Sequence, residues 1–247
     1  MSKFSNFLAS LRSRLDAAGR LAAAAGVGEF VPFEGGAAEA SSGTGAASSD
    51  AGITSSGAGV ASSGTLRQAA VALVLRSRLD EPELLVIKRS ETERDHWSGH
   101  LALPGGRVEP EDESLLVTAT RETFEEVGID LCAGGDVLGR LGTVTPQSPL
   151  APRVSVTPFV AVAPPRYHVD ADGASPALTL SQELTLSEEV AAAFWVPVAE
   201  LKSDGRSGVF KMEFAGVERA WPAYPSPHGM IWGITERILT EFLSLVD

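Results

Sequence analysis

From Gly35 to Thr65 nearly every residue is Gly, Ala, Ser or Thr, and only Glu39, Asp50, Ile53 and Val60 break the run. Such a stretch has too little apolar surface to offset the entropy of ordering it, so it predicts a flexible linker. Any fold must be assembled from what flanks it. The chain divides into a short amphipathic helix and tail over 1–34, the linker over 35–65, and one main domain over 66–247. A total of 247 residues with 44% hydrophobic content is enough for one substantial core.

Ahead of the linker, Phe4, Phe7, Leu8, Leu11 and Leu15 recur at helical spacing, with Lys3, Arg12 and Arg14 on the other faces. The pattern predicts a short helix that docks on the domain or on nothing. A mitochondrial transit peptide is the sharper alternative, because Asp16 is the only acid before Glu29. The alanine-rich Leu21–Gly28 stretch is a poor secretory signal, and no apolar run reaches the ~18 residues of a membrane span. Cutting the chain before Leu66 is expected to preserve folding, since a helix this short is unstable alone.

After the linker, "QAAVALVLRS" and "ELLVIKRS" read as paired strands around a turn at Asp80–Glu83. Further β-branched segments occur at Val137–Val144, Val154–Val162 and Phe194–Val198. Ile231, Ile234, Ile238, Phe242 and Leu245 mark one face of a closing helix. Strands with packed helices predict an α/β domain.

The chemistry concentrates in "LPGGRVEPEDESLLVTATRETFEEVGI", Leu103 to Ile129. Ser114 is placed to cap a helix over about Leu115–Val127, and Gly128 suits its left-handed end. On a wheel of ~100° per residue, Leu116, Val117, Thr120, Phe124 and Val127 would face the core, with Glu122, Glu125 and Glu126 opposite. Carboxylates this close repel one another, and Arg121 relieves only part of that through its i,i+4 relation to Glu125. A hard divalent cation would relieve the rest. An acidic helix face is ordinarily just solvated, but here Gly105 and Gly106 follow Pro104 ahead of the loop, a turn whose backbone can approach a ligand.

This stretch resembles the Nudix box, Gly-x5-Glu-x7-Arg-Glu-U-x-Glu-Glu-x-Gly-U with U apolar. Arg121, Glu122, Glu125, Glu126, Gly128 and Ile129 fall on motif positions, while Thr123 stands at the first U. The resemblance implies an α/β/α sandwich with a mixed β-sheet that hydrolyses nucleoside diphosphates linked to another moiety. It further implies that Glu122, Glu125 and Glu126 bind Mg²⁺ or Mn²⁺ and that Arg121 holds the glutamates in place. Six residues on from Gly106 is Asp112, whereas eight back from Arg121 is Glu113, so this loop is one residue longer than the general motif. Asp112, Ser114, Leu115, Thr118, Ala119, Arg121 and Glu122 match the longer pattern of the coenzyme A pyrophosphatase subgroup. Upstream, Arg89, Ser90, Arg94, Gly99, Pro104, Gly105 and Gly106 match that subgroup's signature. Ile87 stands for its Thr, Leu103 stands for its Phe, and one extra residue separates Arg94 from Gly99.

In "SEEVAAAFWVPVAEL", Glu189 is a candidate further ligand or base beside a Trp-bearing strand, with solvated Glu188 and Glu189 as the plain alternative. Lys88, Arg89, Arg94 and Arg107 cluster in sequence around the glycine turn as candidate phosphate contacts, while His96 and His100 are expected to orient a loop. A net charge of -12 argues against a nucleic-acid surface, so the expected partner is a small nucleotide substrate met locally. Cys132 is the only cysteine, which excludes an internal disulfide and fits a cytoplasmic setting. The expected reaction is metal-dependent hydrolysis of a pyrophosphate bond, with coenzyme A or its thioesters as substrate. ADP-ribose or dinucleotide cleavage, and a non-catalytic nucleotide-sensing domain, are the alternatives.

Overall fold

The computed structural model describes residues 2–20, 66–92, 98–146, 153–169, 184–204, 207–214 and 217–246. The linker reading and the expectations for Arg94 and His96 lie outside these residues.

The hairpin of strands β1 (Arg67–Arg78) and β2 (Glu81–Arg89) is the spine of the domain. Its turn is tighter than expected. Leu79 and Asp80 both take left-handed angles, φ 51° and 66°, so Arg78 pairs with Glu81 and Pro82 lies in the strand. One edge of β1 carries β6 (Val154–Val162) in parallel. The other edge is shared between β2, at Leu75–Arg78, and the short β4 (Gly105–Arg107), at Ala69–Val71. The sheet therefore splits midway along β1, between β2 and β4. It is completed by β3 (Leu101–Ala102) and β7 (Val190–Pro197) on β2 and by β5 (Asp136–Arg140) on β6.

Alternation along the strands separates two apolar clusters. Leu73, Leu75, Leu84, Val86 and Val160 face one way, onto helix α1 (Lys3–Ala17) and a C-terminal helix over Gly233–Ser244. Ala72, Val74, Leu85, Ile87 and Ala161 face the other, onto helix α2 (Leu115–Val127) and the chain that follows it. A mixed sheet between helical layers is the sandwich that the sequence implies. Helix α3 (Val198–Asp204) leads from β7 into a feature the sequence reading did not anticipate. This is an antiparallel sheet of β8 (Gly208–Phe214), β9 (Val217–Ser226) and β10 (Gly229–Trp232), in the order β10-β9-β8. It adds Tyr224 and Ile231 to the first cluster, and the C-terminal helix, α4, follows directly.

Helix α1 is part of the core. Phe4, Leu11 and Leu15 are buried in the first cluster, with Phe7 and Leu8 packed against it. Its first turn is held by the hairpin, whose Asp80 carboxylate accepts the backbone N–H groups of Lys3 (2.7 Å) and Phe4 (3.0 Å). Arg12 pairs with Asp136 and Arg20 with Glu241. A Cβ on Gly139 would sit 2.3 Å from the Arg20 carbonyl oxygen, so a glycine there lets the end of the helix lie on β5. Among the described residues no helix is long and apolar enough to cross a membrane.

Candidate active site

The glycine turn, the loop after it and α2 are interlocked by hydrogen bonds. The Ser114 side chain accepts from the Val117 N–H at 3.2 Å, and Gly128 ends the helix at φ 74°, both as the sequence predicts. The face that α2 buries is not the predicted one. Thr118, Ala119, Thr123, Glu126 and Val127 are buried, whereas Phe124 is 56% exposed and Leu116, Val117 and Thr120 are half-covered. Of the predicted core face only Val127 is fully inside. The helix is rolled so that Glu122 and Glu126 point at the split in the sheet.

There the backbone of β4 meets them. Gly105 N–H donates to Glu126 Oε2 at 2.9 Å. A Cβ at position 106 would lie 2.2 Å from Glu122 Oε1, so any larger residue would displace that carboxylate from its present place. Burial pushes the Glu126 carboxyl up to about 7, reinforced by Glu122 and Glu189 and opposed by the Gly105 N–H and by Arg89. Glu122 is raised too, again mainly by burial, with Arg121 opposing.

Arg121 is gripped rather than free. Its Nε and Nη2 donate to the two oxygens of Asp112, each at 3.0 Å, a bidentate fork. Nη2 also reaches the Arg107 carbonyl at 3.2 Å and Glu122 at 3.1 Å, and Nη1 holds Glu125 at 3.0 Å. Asp112 is itself braced by the Glu109 N–H and the Thr118 hydroxyl, both at 2.9 Å. The Arg121 hydrogen bonds outweigh burial and pull its carboxyl down to about 2. Asp112 is thus the anchor of the loop, a role that sequence reasoning missed although it had placed the residue in a pattern.

The predicted residues separate into two groups. Glu122, Glu126, Arg89, Gly105 and Gly106 come together at the split, and exposed Glu189 acts electrostatically on both glutamates. Hydrogen bonds hold the Glu189 segment there, among them Ser187 N–H to the Glu126 carbonyl (3.1 Å), Ser90 N–H to the Glu189 carbonyl (2.8 Å) and the Ser90 hydroxyl to the Glu188 carbonyl (2.7 Å). Lys88 and Arg107 belong instead to the opposite sheet face, Lys88 by alternation with Ile87 and its pairing with Leu101, and Arg107 by its pairing with Ala69. Glu125 is turned outward to Arg121, its side chain 55% exposed. Among the described residues no three acidic or imidazole groups converge on one point.

A family model described as the NUDIX domain matches residues 65–214. The chain belongs to the Nudix family. It is 38% identical over 178 residues to an "Uncharacterized Nudix hydrolase NudL" of Cronobacter sakazakii, covering 71% of this chain and 80% of that protein. A protein of the same name from Yersinia pestis is 33% identical over 186 residues, 74% of this chain and 81% of the relative. Among solved structures, a MutT/nudix family protein from Enterococcus faecalis aligns with a TM-score of 0.45 at 17% identity, covering 73% of this chain and 62% of that one. The Nudix assignment makes the chain an enzyme that cleaves pyrophosphate bonds, in a family that generally requires a divalent metal ion.

Proposed function

We propose that this Nudix enzyme splits coenzyme A or its thioesters at the pyrophosphate, giving 3′,5′-ADP and a 4′-phosphopantetheine product. The observation that carries this reading is the interlock of the longer loop. Asp112, Ser114, Thr118 and Arg121, which mark the coenzyme A pyrophosphatase pattern, are joined to one another by hydrogen bonds rather than scattered. The pattern is therefore one structural device. Of its three upstream departures, Ile87 and Leu103 are 1% and 4% exposed, so they exchange one core side chain for another, while the extra residue between Arg94 and Gly99 falls in a stretch largely outside the described residues.

The residues at the split suit a divalent cation. Two carboxylates raised by burial, one turn apart on α2, lie against a glycine turn whose Gly105 admits no Cβ, and a hard cation offsets that cost with oxygen ligands. Glu122 and Glu126 would hold Mg²⁺ or Mn²⁺, with Glu125 and Glu189 as further carboxylates acting on the same pair. When bound, the ion supplies charge neutralisation for the pyrophosphate oxygens and acidifies the attacking water. Arg89 lies at the same split and steadies the anionic substrate, while Arg121 fixes the helix against its loop. The water oxygen bonds to one phosphorus as the bridging P–O bond breaks, the second phosphate leaves with that oxygen, and the water's proton passes to the carboxylate cluster.

The test is a panel of coenzyme A, ADP-ribose, NADH, diadenosine polyphosphates and nucleoside triphosphates with Mg²⁺ or Mn²⁺, products identified by mass. Coenzyme A should show the highest kcat/KM. A value at least tenfold below that of any rival overturns the substrate and leaves the pyrophosphatase standing.

A further inference from the structure

The tip of the β9–β10 hairpin carries an imidazole onto the main sheet. Ser226 pairs with Gly229 across the two-residue loop Pro227–His228, and the Ser226 hydroxyl donates to the Gly229 carbonyl at 2.8 Å while accepting from the His228 N–H at 3.3 Å. So braced, exposed His228 lies flat on Phe194 of β7, ring centroids 3.7 Å apart and planes 10° from parallel. A Cβ on Gly229 would lie 3.6 Å from the Leu101 side chain, so the same tip also rests on β3.

These two footholds bracket one residue. Lys88 pairs with Leu101 on one side and Ala192 on the other, and Phe194, opposite Val86, is its diagonal neighbour on the same face. The hairpin therefore straddles Lys88, placing an exposed flat ring beside a cation. Arg89, the next residue, turns to the other face and acts on Glu126. One strand end thus joins the acidic site to a ring-and-cation site.

We propose that His228, seated on Phe194, stacks the purine of the substrate while Lys88 takes a phosphate on the attached ribose. This rests on the nucleotide-pyrophosphate reading above and gives the nucleoside end of that substrate its place. A purine offers a flat π-face to the imidazole, and a phosphate beside it meets the charge of Lys88 in a protein that is otherwise net negative. The hairpin acts as a specificity element.

His228→Ala should raise KM for coenzyme A about tenfold with kcat changed less than twofold, and His228→Phe should restore KM because the ring is what matters. A base-free analogue, the pantetheine pyrophosphate of plain ribose, should show a KM shift of less than twofold. Titration calorimetry with 3′,5′-ADP reads the subsite without turnover, and its affinity should fall about tenfold in His228→Ala. Unchanged affinity for 3′,5′-ADP, or equal KM shifts for coenzyme A and the base-free analogue, overturns the stacking role and points to a merely structural hairpin. If wild-type protein leaves coenzyme A intact while His228→Ala still weakens 3′,5′-ADP binding, the substrate reading falls and the purine subsite stands.

Discussion

Helices α1 and α2 are both amphipathic in sequence, yet one obeys its apolar stripe and the other does not. In α1 the stripe Phe4, Leu11 and Leu15 is the buried face, with Phe7 and Leu8 at its margin. In α2 the residue buried in place of Phe124 is Glu126. The polar contacts of α1, from Asp80 at its first turn to the Arg12–Asp136 and Arg20–Glu241 pairs, agree with its apolar stripe, so hydrophobic periodicity predicts its buried face. In α2 the glycine turn and the Asp112–Arg121 fork set the roll, and apolar surface is left outside in order to present carboxylates to the split sheet. A helix that breaks its own periodicity marks a site.

That contrast is tested most severely at Glu126. Glu126→Gln keeps an acceptor for the Gly105 N–H but removes the charge, and hydrolysis should fall by about 10³-fold or more, as expected when a metal-site carboxylate is lost. Stability in chelator should move the other way. The folded carboxyl titrates at about 7 against an ordinary value of 4.5, so the native state holds a proton that the unfolded chain has released. Wild-type stability should therefore decline as pH rises from about 4.5 to about 7 and be level above. The variant should lack this decline, ending about 3 kcal/mol above wild type at pH 8 and equal to it near pH 4. Urea unfolding at the two pH values reads the difference directly. A variant that is active would end the metal assignment of Glu126, and one less stable at pH 8 would show that its carboxylate is well solvated by its hydrogen bonds in the fold.

What could be read from the chain follows the same division. The β1–β2 hairpin, the caps at Ser114 and Gly128 and the closing helix α4 are local or periodic signals, and they were legible. The roll of α2 was not, because it depends on Gly105 and Gly106, which are remote from the helix wheel. The second sheet was passed over for a different reason. In β8 the alternation of Phe210, Met212 and Phe214 with Lys211 and Glu213 was available, but Pro222 and Pro225 argue against a strand at β9. At the site, the candidate residues were identifiable by type and spacing. Their division between sheet faces, Arg89 with Glu126 but Lys88 and Arg107 away from it, required the strand register.

The second test removes residues 2–20. On sequence grounds this should be harmless, but three fully packed apolar side chains argue otherwise. At about 1.5–3 kcal/mol each, Phe4, Leu11 and Leu15 contribute roughly 5–9 kcal/mol before the cost of ordering the helix. The thermal midpoint should drop by more than about 10 °C. Because α1 packs on the sheet face opposite α2, kcat of the protein that remains folded should stay within about twofold of wild type. A midpoint within about 3 °C of the intact chain would mean that α1 sits on the domain without holding it.

The smallest effect is expected at the residue that looks most like core. Phe124→Ala removes a large aromatic side chain from the last turn of α2, a change that costs about 3–5 kcal/mol in a true core. Here the ring is 56% exposed, and alanine is the better helix former, so the two contributions partly cancel. The unfolding free energy should change by less than about 1 kcal/mol. Val127→Ala, three residues on and fully buried, should cost about 2–3 kcal/mol although it deletes far fewer atoms. The order of the two is the decisive reading, since a larger loss at Phe124 would show that α2 buries the face its periodicity predicts. With the order as expected, Val127 is the one member of the predicted stripe that holds the fold, and the roll of the helix is set by Asp112, Arg121 and the glycine turn.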